Sequence, residues 1–221
     1  MSILIDHTNP TYVEARNKIG LNKYNGAYYY SKEIVQNIIP LVKTDRNWIT
    51  IETKTLGCDH SIVFVHNRKH PEWYEHYSEF DDIIFVCSID EYRDSFKHLG
   101  KTIYLPLSVD VDYVKQFRTE KDKEVAFVGR KAKLREFLGS VLPEGIDYVC
   151  NMTRDQYLKE MARYKKIYAV DRTAIEGLVL GCEILPYELK YPDPSVWKIL
   201  DNKEAAIMLQ EELDKIDKIE R

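Results

Sequence analysis

The chain has 221 residues, of which 44% are apolar and 31% are charged, and its net charge is −4 with an isoelectric point near 5.9. This length suits one large domain or two small ones, and the apolar share is sufficient for a buried core. The acidic balance excludes a strongly basic protein that binds nucleic acid over its whole surface, although it leaves room for a local basic patch.

The cysteine pattern and the N-terminus indicate the compartment. The four cysteines form no C-x-x-C pair, and three lie in or beside apolar, strand-like runs, which is typical of reduced residues in a cytoplasmic protein. The first ten residues lack the basic start and apolar core of a signal peptide. No apolar run approaches the roughly 18 residues that a transmembrane helix needs. We therefore expect a cytoplasmic protein without a membrane span.

In the first half of the chain, apolar strands alternate with helical patterns. The predicted strands are residues 3–7, 47–53, 61–67, 82–88 and 101–110. Apolar residues at helical spacing over 34–39 predict a helix that Pro40 ends, and residues 71–80 predict a short helix with proline in its first turn. Ser88 and Glu91 have the spacing of a capping box, which predicts that a helix begins there.

The charged stretch 115–124 is the best linker candidate, and the alternation restarts after it. The strands predicted after this stretch are residues 124–130, 145–150, 166–170 and 183–187. Helices are predicted at 131–142, after a Thr153 to Gln156 capping box, at 173–181 and from about 202 to 220.

This alternation is typical of parallel sheets that are covered on both faces. Two runs of it predict two doubly wound α/β domains, residues 1–110 and 122–200, followed by a C-terminal helix over 203–221. We expect the two domains to face a cleft. In such sheets ligands bind outside the carboxyl ends of the strands, so the residues after each strand are the candidates for chemistry.

The segment "FVGRKAKLR" places basic residues where a strand ends and a helix begins. Arg130, Lys131 and Lys133 follow Gly129 directly or closely. A helix N-terminus attracts anions and disfavours cations, so several cations there favour a bound anion such as a diphosphate. Arg130 would chelate phosphate in a forked geometry, and Lys133 would add a point charge. The alternative is a solvated basic helix face.

The segment "DRTAIEG" also joins a strand to a helix. Thr173 and Glu176 have the T-x-x-E spacing of a capping box, so Glu176 can simply bond back to the Thr173 amide. The alternative is that its carboxylate accepts two hydroxyls of a ribose beside a phosphate at the helix N-terminus. Spacing alone does not separate these two interpretations.

Two further segments carry candidate residues. "HNRKHPEWYEH" offers His66, but Pro71 prevents a helix from presenting His66 and His70 on one face, and we predict no metal site. His66 ends a buried strand, so it either faces the cleft or is a hydrogen-bonded core histidine. In "GAYYYSK" the three tyrosines after Gly26 either stack on a base or sugar, or form one buried and two exposed rings.

The order of these segments resembles that of glycosyltransferases of the GT-B fold, of the retaining, sugar-nucleotide type. "YAVDRTAIEGLVLGCEILPYE" resembles their donor-binding segment, "EVAFVGRKAK" the strand that opens their donor domain, and "YLPLSVDVDYV" the segment that ends their first domain. "YNGAYYYSKEIV" resembles their glycine loop and "FVHN" the strand end that carries a histidine. The resemblance covers most of the chain, but each motif is loose.

The resemblance implies two Rossmann-like domains, with residues 1–110 on the acceptor side and 122–200 binding the donor, and a terminal helix that packs on the first domain. It implies no cofactor beyond a UDP-linked sugar donor, with the sugar passing to an acceptor hydroxyl of a glycan or a modified DNA base. Compact phage enzymes that glucosylate modified DNA bases are reduced relatives of this kind, which is the reason to include DNA.

The site residues that the resemblance implies divide between donor binding and catalysis. The donor-binding residues are Gly26, Arg130, Lys133, Arg172 and Glu176. The catalytic residues are His66, near the transferred sugar, and Asp171, beside it.

The chain also departs from the family pattern. The family has two glutamates eight residues apart, whereas Tyr168 stands eight residues before Glu176. Asp171 is the candidate replacement for the first glutamate, and the donor loop is short. These departures favour an alternative function, a protein of the same fold that binds a nucleotide or a partner without catalysis.

Overall fold

In a computed structural model, the described residues are 3–10, 13–14, 26–51, 53, 55–65, 71–129, 144–186 and 193–219. They form two parallel sheets, one of five strands and one of four, together with helices. The predicted α/β class with parallel sheets and a C-terminal helix is therefore confirmed.

The strands of the described residues follow the predicted order, although most are shorter than the predicted segment, and β8 begins two residues before its predicted start. They are β1 (Leu4–Ile5), β2 (Asn47–Ile49), β3 (Ser61–Phe64), β4 (Ile83–Cys87), β5 (Lys101–Tyr104), β6 (Lys123–Val128), β7 (Asp147–Val149), β8 (Tyr164–Tyr168) and β9 (Glu183–Leu185). The first sheet has the order β1-β2-β3-β4-β5 and the second has the order β7-β6-β8-β9, and all their strand pairs are parallel.

The helices lie between the strands. The α-helices are α1 (Gly26–Glu33), α2 (Arg93–Phe96), α3 (Val111–Lys115), α4 (Arg154–Met161), α5 (Arg172–Val179) and α6 (Asn202–Ile219). Helix α1 continues as a π-helical turn (Ile34–Ile38) and a 3-10 turn (Ile39–Leu41), and further 3-10 segments are Pro71–Glu79, Asp90–Tyr92 and Pro194–Val196. None of the described helices combines the length and apolar character needed to cross a bilayer.

The chain divides into two compact units. The first unit comprises Met1–Lys18, Ala27–Pro106 and Asn202–Arg221, and the second comprises Ile19–Gly26 and Leu107–Asp201. Each unit therefore contains one of the two sheets.

Side chains alternate along each strand, so neighbouring residues point to opposite faces of the first sheet. Both faces are covered. Val63 and Phe85 belong to an apolar cluster with Tyr74 of the Pro71–Glu79 segment. On the other face, the Phe64 ring lies edge-on to Tyr30 of α1, with 6.2 Å between ring centroids. The buried strands and these aromatic rings form the core of the first unit.

Helix α6 packs on the first unit, against the Ile34–Ile38 turn. At its start, the buried Asn202 donates from Nδ2 to Glu33 Oε2 at 2.8 Å. Further along, Gln210 Oε1 accepts from the Lys43 amide at 2.6 Å. The apolar stripe of the helix is formed by the buried residues Ala205, Ala206, Leu209 and Leu213.

The structure confirms some of the predicted helix starts and ends and differs from others. Thr153 and Gln156 form the predicted capping box of α4. The capping box predicted at Ser88 and Glu91 is wrong, because the helical segment there begins after Ile89 without a side-chain cap. Pro40 was expected to end a helix, but it lies in the first turn of the Ile39–Leu41 segment, where its missing N–H is tolerated.

All four cysteines lie within the described residues, and none of them forms a disulfide. Cys87 and Cys182 are buried, whereas Cys58 and Cys150 are half-buried. Burial raises the pKa of the Cys87 thiol to about 12, so this side chain remains protonated at neutral pH.

Candidate functional site

The strand order of the second sheet reverses at β6. Strand β7 lies on one side of β6, and the next strand in the chain, β8, lies on the other side. The crevice outside the carboxyl ends of such strands is where open α/β sheets bind their ligands. Gly129 follows β6, and Asp171 lies three residues after β8. We call this region, comprising Gly129 and residues 169–173, the β6/β8 edge.

Gly129 is a glycine for which the described fold gives no steric reason. A Cβ at this position would meet the Phe127 ring at 3.5 Å, which is an ordinary contact, and its φ lies outside the left-handed region. Its amide donates to the Val149 carbonyl at 3.2 Å. Among the described residues neither packing nor backbone conformation requires glycine here, and a glycine gives room for the close approach of a ligand.

Asp171 begins helix α5 with a strained backbone. Its φ of 56° and ψ of −141° lie in a region that side-chain-bearing residues rarely adopt, and its side chain caps no amide of the helix. Its carbonyl accepts from the Ala174 amide at 3.0 Å. Strain of this kind concentrates at ligand sites, because the chain there is held by function and not by local preference.

Glu176 is fully buried and is held by two arginines. Its Oε1 accepts from Arg172 Nε at 3.1 Å and from Arg154 Nη2 at 3.3 Å. The three side chains are at most 9% exposed, and we call them the Arg-Glu-Arg cluster. A carboxylate without exposed surface would have to exchange these contacts in order to reach a ribose, so the ribose contact stays a prediction.

The alternative in which Glu176 closes a capping box with Thr173 is wrong. Helix α5 begins at Arg172, and Asp171 occupies the N-cap position that Thr173 would need. Thr173 Oγ1 instead accepts from the buried Tyr157 hydroxyl, at 3.4 Å. Burial raises the pKa of Tyr157, which keeps its hydroxyl protonated as a donor.

The sequence interpretation missed Arg154. Its guanidinium lies over the Tyr113 ring, with 4.8 Å from the guanidinium carbon to the ring centroid, and the Tyr113 hydroxyl donates to Asp155 at 2.5 Å. A signal was present in the sequence, because Arg154 follows the cap Thr153 directly and thus occupies the first helical position, as Arg172 does in α5. Cations at two helix N-termini are unfavourable unless a negative group offsets them.

Arg172 also connects the cluster to the segment before α3. Its Nη1 lies 3.4 Å from the carbonyl oxygen of the buried Ser108. Asp110, two residues later, caps α3 by accepting from the Tyr113 amide at 2.9 Å. The residues that follow β5 and those that open α4 and α5 are thus joined within the second unit.

The remaining predicted site residues are placed as follows. Gly26 begins helix α1. His66, Arg130 and Lys133 lie outside the described residues. Among the residues that the structure does describe, no three His, Cys, Asp or Glu side chains cluster as metal ligands would. The three tyrosines after Gly26 divide into the buried Tyr30 and the half-buried Tyr28 and Tyr29.

The carboxyl end of β1 carries a second polar group, in the first unit. Asp6 Oδ1 accepts from the Thr8 amide at 2.9 Å and from its hydroxyl at 2.6 Å. Asp6 Oδ2 lies 3.7 Å from His7 Nδ1, and the His7 ring lies edge-on to Tyr28. These contacts order the turn after β1. Because the strands are parallel, this turn lies at the carboxyl edge of the first sheet, where the other strands also end.

Comparison of the chain with protein-family models, with curated proteins and with solved structures gave no match. The geometry of the β6/β8 edge and the loose sequence resemblance are therefore the basis for a function.

Proposed function

We propose that the protein is a glycosyltransferase that binds a nucleotide diphosphate sugar at the β6/β8 edge of its second unit and passes the sugar to an acceptor hydroxyl. The observation that carries this proposal is the reversal of strand order at β6, which brings Gly129 and the N-terminus of α5 to neighbouring strand ends. The two-domain GT-B architecture and a UDP-linked donor belong to the proposal through the sequence resemblance.

The first step of the argument concerns the diphosphate. Helix α5 starts at this edge, and the first amides of a helix attract phosphate through their N–H groups and the helix dipole. Arg130 and Lys133 follow Gly129 in the sequence and would supply positive charge after β6. These groups would offset the negative charge that develops on the leaving diphosphate, which is the main electrostatic demand of the reaction.

The second step concerns Gly129 and Asp171. The glycine at the end of β6, where the described residues leave space for a Cβ, would let a phosphate approach the backbone closely. Asp171 holds a carboxylate at the end of β8, where it would contact the sugar or stabilise positive charge on it. The sequence resemblance, and not the described structure, assigns Gly26 to the donor phosphates and His66 to the transferred sugar.

Gly129→Ala tests the donor site without a folding penalty. Because alanine fits the space and the backbone, we expect the free energy of unfolding to stay level or rise by about 0.4–1 kcal/mol. Isothermal titration calorimetry with UDP, GDP and ADP, each also as its glucose conjugate, should show binding of at least one nucleotide by the wild type. The added methyl group should weaken that binding by about tenfold, or roughly 1.4 kcal/mol.

Gly145→Ala is the matched control for this variant. Gly145 also lies in the second unit and has no Cβ neighbour within 4 Å, but its φ is 80°. Alanine there should lower stability and leave nucleotide affinity unchanged. Equal nucleotide affinity of the wild type and Gly129→Ala would remove Gly129 from the site, and a wild type that binds none of the nucleotides would refute the proposed function.

The alternative is a protein that binds a nucleotide or partner without catalysis. The burial of Glu176 by two arginines favours it, because this carboxylate is then not presented as the family resemblance implies. The two functions differ in turnover. Once a nucleotide sugar that binds is known, release of the nucleotide with and without glycan or modified-DNA acceptors decides between them. Binding without any release would favour the alternative.

A further inference from the structure

We infer that Glu176 is a positioning residue for the donor diphosphate, which acts through Arg154 and Arg172 and does not itself contact the nucleotide. The inference rests on the proposed function, and it changes the role of Glu176 from a ribose ligand to the anchor of two phosphate-binding guanidiniums. It requires no movement of a buried carboxylate.

The contacts of Glu176 support the first part. One carboxylate oxygen takes a hydrogen bond from each arginine, at 3.1 Å and 3.3 Å, and the side chain is 0% exposed. A buried carboxylate in such a pair is costly to leave without its partners and costly to rotate away from them. Glu176 would therefore act on a ligand through the groups it holds, whose side chains keep a small exposed fraction, 9% for Arg154 and 4% for Arg172.

The position of the two arginines supports the second part. Each occupies the first position of an eight-residue helix, Arg154 in α4 and Arg172 in α5, and both helices begin at the carboxyl edge of the second sheet. Cations at these positions oppose the helix dipoles, and within the cluster the single negative charge of Glu176 offsets only one of the two positive charges. Guanidinium groups match phosphate oxygens in a forked geometry.

The rigidity of the cluster supports a role in positioning. The Arg154 guanidinium is fixed over the Tyr113 ring, and Arg172 reaches the Ser108 carbonyl oxygen, so both side chains have contacts besides Glu176. Two anchored cations at neighbouring helix starts would bind the two phosphates of one diphosphate with little loss of side-chain entropy.

The test separates the two ends of the donor with two simple probes, inorganic pyrophosphate and uridine. Titrations followed by NMR are performed on the wild type, Glu176→Gln and Arg154→Lys, with folding checked by circular dichroism. If Glu176 acts through the arginines, Glu176→Gln weakens pyrophosphate binding by about tenfold or more and leaves uridine binding unchanged. Arg154→Lys should have the same signature, and it decides the question if Glu176→Gln does not fold.

Glu160→Gln is the matched control. Glu160 also bonds two cations in the second unit, with Oε1 at 2.7 Å from Lys123 Nζ and Oε2 at 3.1 Å from Arg163 Nη1, but it lies near the opposite end of α4. Its variant should bind pyrophosphate as the wild type does.

Three results overturn the inference or the function beneath it. Unchanged pyrophosphate affinity in folded Glu176→Gln, or in Arg154→Lys where Glu176→Gln does not fold, overturns the positioning role. Loss of uridine binding alone assigns Glu176 to the ribose. A wild type that binds neither probe nor any nucleotide diphosphate refutes the proposed function itself, which is a different outcome from failure of the positioning role.

Discussion

Asp171 has a backbone conformation that glycine adopts far more readily than any other residue. Its φ is positive and its ψ is −141°, and no side-chain cap compensates for this conformation. Asn151, at the end of β7, also has a φ of 56°, but asparagine tolerates the left-handed region. The backbone strain is thus greater at Asp171 than at Asn151. Asp171 also lies where we place the donor sugar.

Replacing Asp171 by glycine should stabilise the protein. Relief of the strained backbone outweighs the extra chain entropy of glycine, and we expect the free energy of unfolding to rise by about 1 kcal/mol in urea denaturation. The same variant should lose sugar transfer, because the carboxylate is absent. Asn151→Gly, the control, should show no comparable gain, and a loss of stability in Asp171→Gly would contradict the strain.

Asp82 is the centre of an ionic network in the first unit. It accepts from Arg46 Nη1 at 2.6 Å, from His60 Nδ1 at 2.6 Å and from Lys101 Nζ at 3.0 Å. Desolvation raises its pKa, but the hydrogen bonds from Lys101, His60 and Arg46 outweigh this effect and lower the pKa to about 2. These bonds connect the residues directly before β2, β3 and β4 with the first residue of β5.

Acid should weaken this network in a defined pH range. Because the folded pKa of Asp82 is about 2 and lies below its ordinary value of 3.8, its contribution to stability is complete above pH 4 and is lost as the pH falls towards 2. Asp82→Asn keeps a residue that tolerates the φ of 53° but removes the charge. The difference in unfolding free energy between the wild type and Asp82→Asn should therefore shrink between pH 4 and pH 2. A constant difference would show that the charge is not its source.

At the scale of single elements, the turn between α2 and β5 depends on one glycine. A Cβ at Gly100 would lie 2.5 Å from the carbonyl oxygen of Ile83, which is the first residue of β4. Backbone cannot rotate aside as a long side chain can, so the turn has room only for glycine.

Gly100→Ala should destabilise the protein. The clash forces the turn away from β4, and we expect the free energy of unfolding to fall by about 1–3 kcal/mol, as in other overpacked sites. The test compares the melting temperatures of Gly100→Ala and Gly129→Ala in thermal denaturation, because the second variant has room for its methyl group. Equal melting temperatures for the two variants would show that the turn adapts without cost.

The sequence predicted the elements better than their ends. Continuous apolar runs identified the strands, and T-x-x-Q identified the cap of α4, because both signals are local. The S-x-x-E and T-x-x-E spacings misled at Ser88 and Thr173, because the N-cap residue lies one position later in the first case and two positions earlier in the second. The start of a helix depends on packing that spacing does not contain.

At the scale of the whole molecule, the sequence predicted two parallel sheets but not their strand orders. Order depends on pairing between segments far apart in the chain, such as β6 with β8, which no local pattern reports. The same limit applies to the site. Asp171, Arg172 and Glu176 were predicted from one segment, whereas the contact between Glu176 and Arg154, 22 residues apart, follows only from the fold.

The central claim is that a nucleotide diphosphate binds at the β6/β8 edge, and amide chemical shifts test it most directly. In a titration of the labelled protein with UDP, we predict that the largest shift changes fall on the amides of Gly129, Arg172 and Thr173. The amides of Gly100 and the α6 residues, in the first unit, should not change with them. Changes centred away from Gly129 and the start of α5, or no change at saturating UDP, GDP and ADP, would contradict the account.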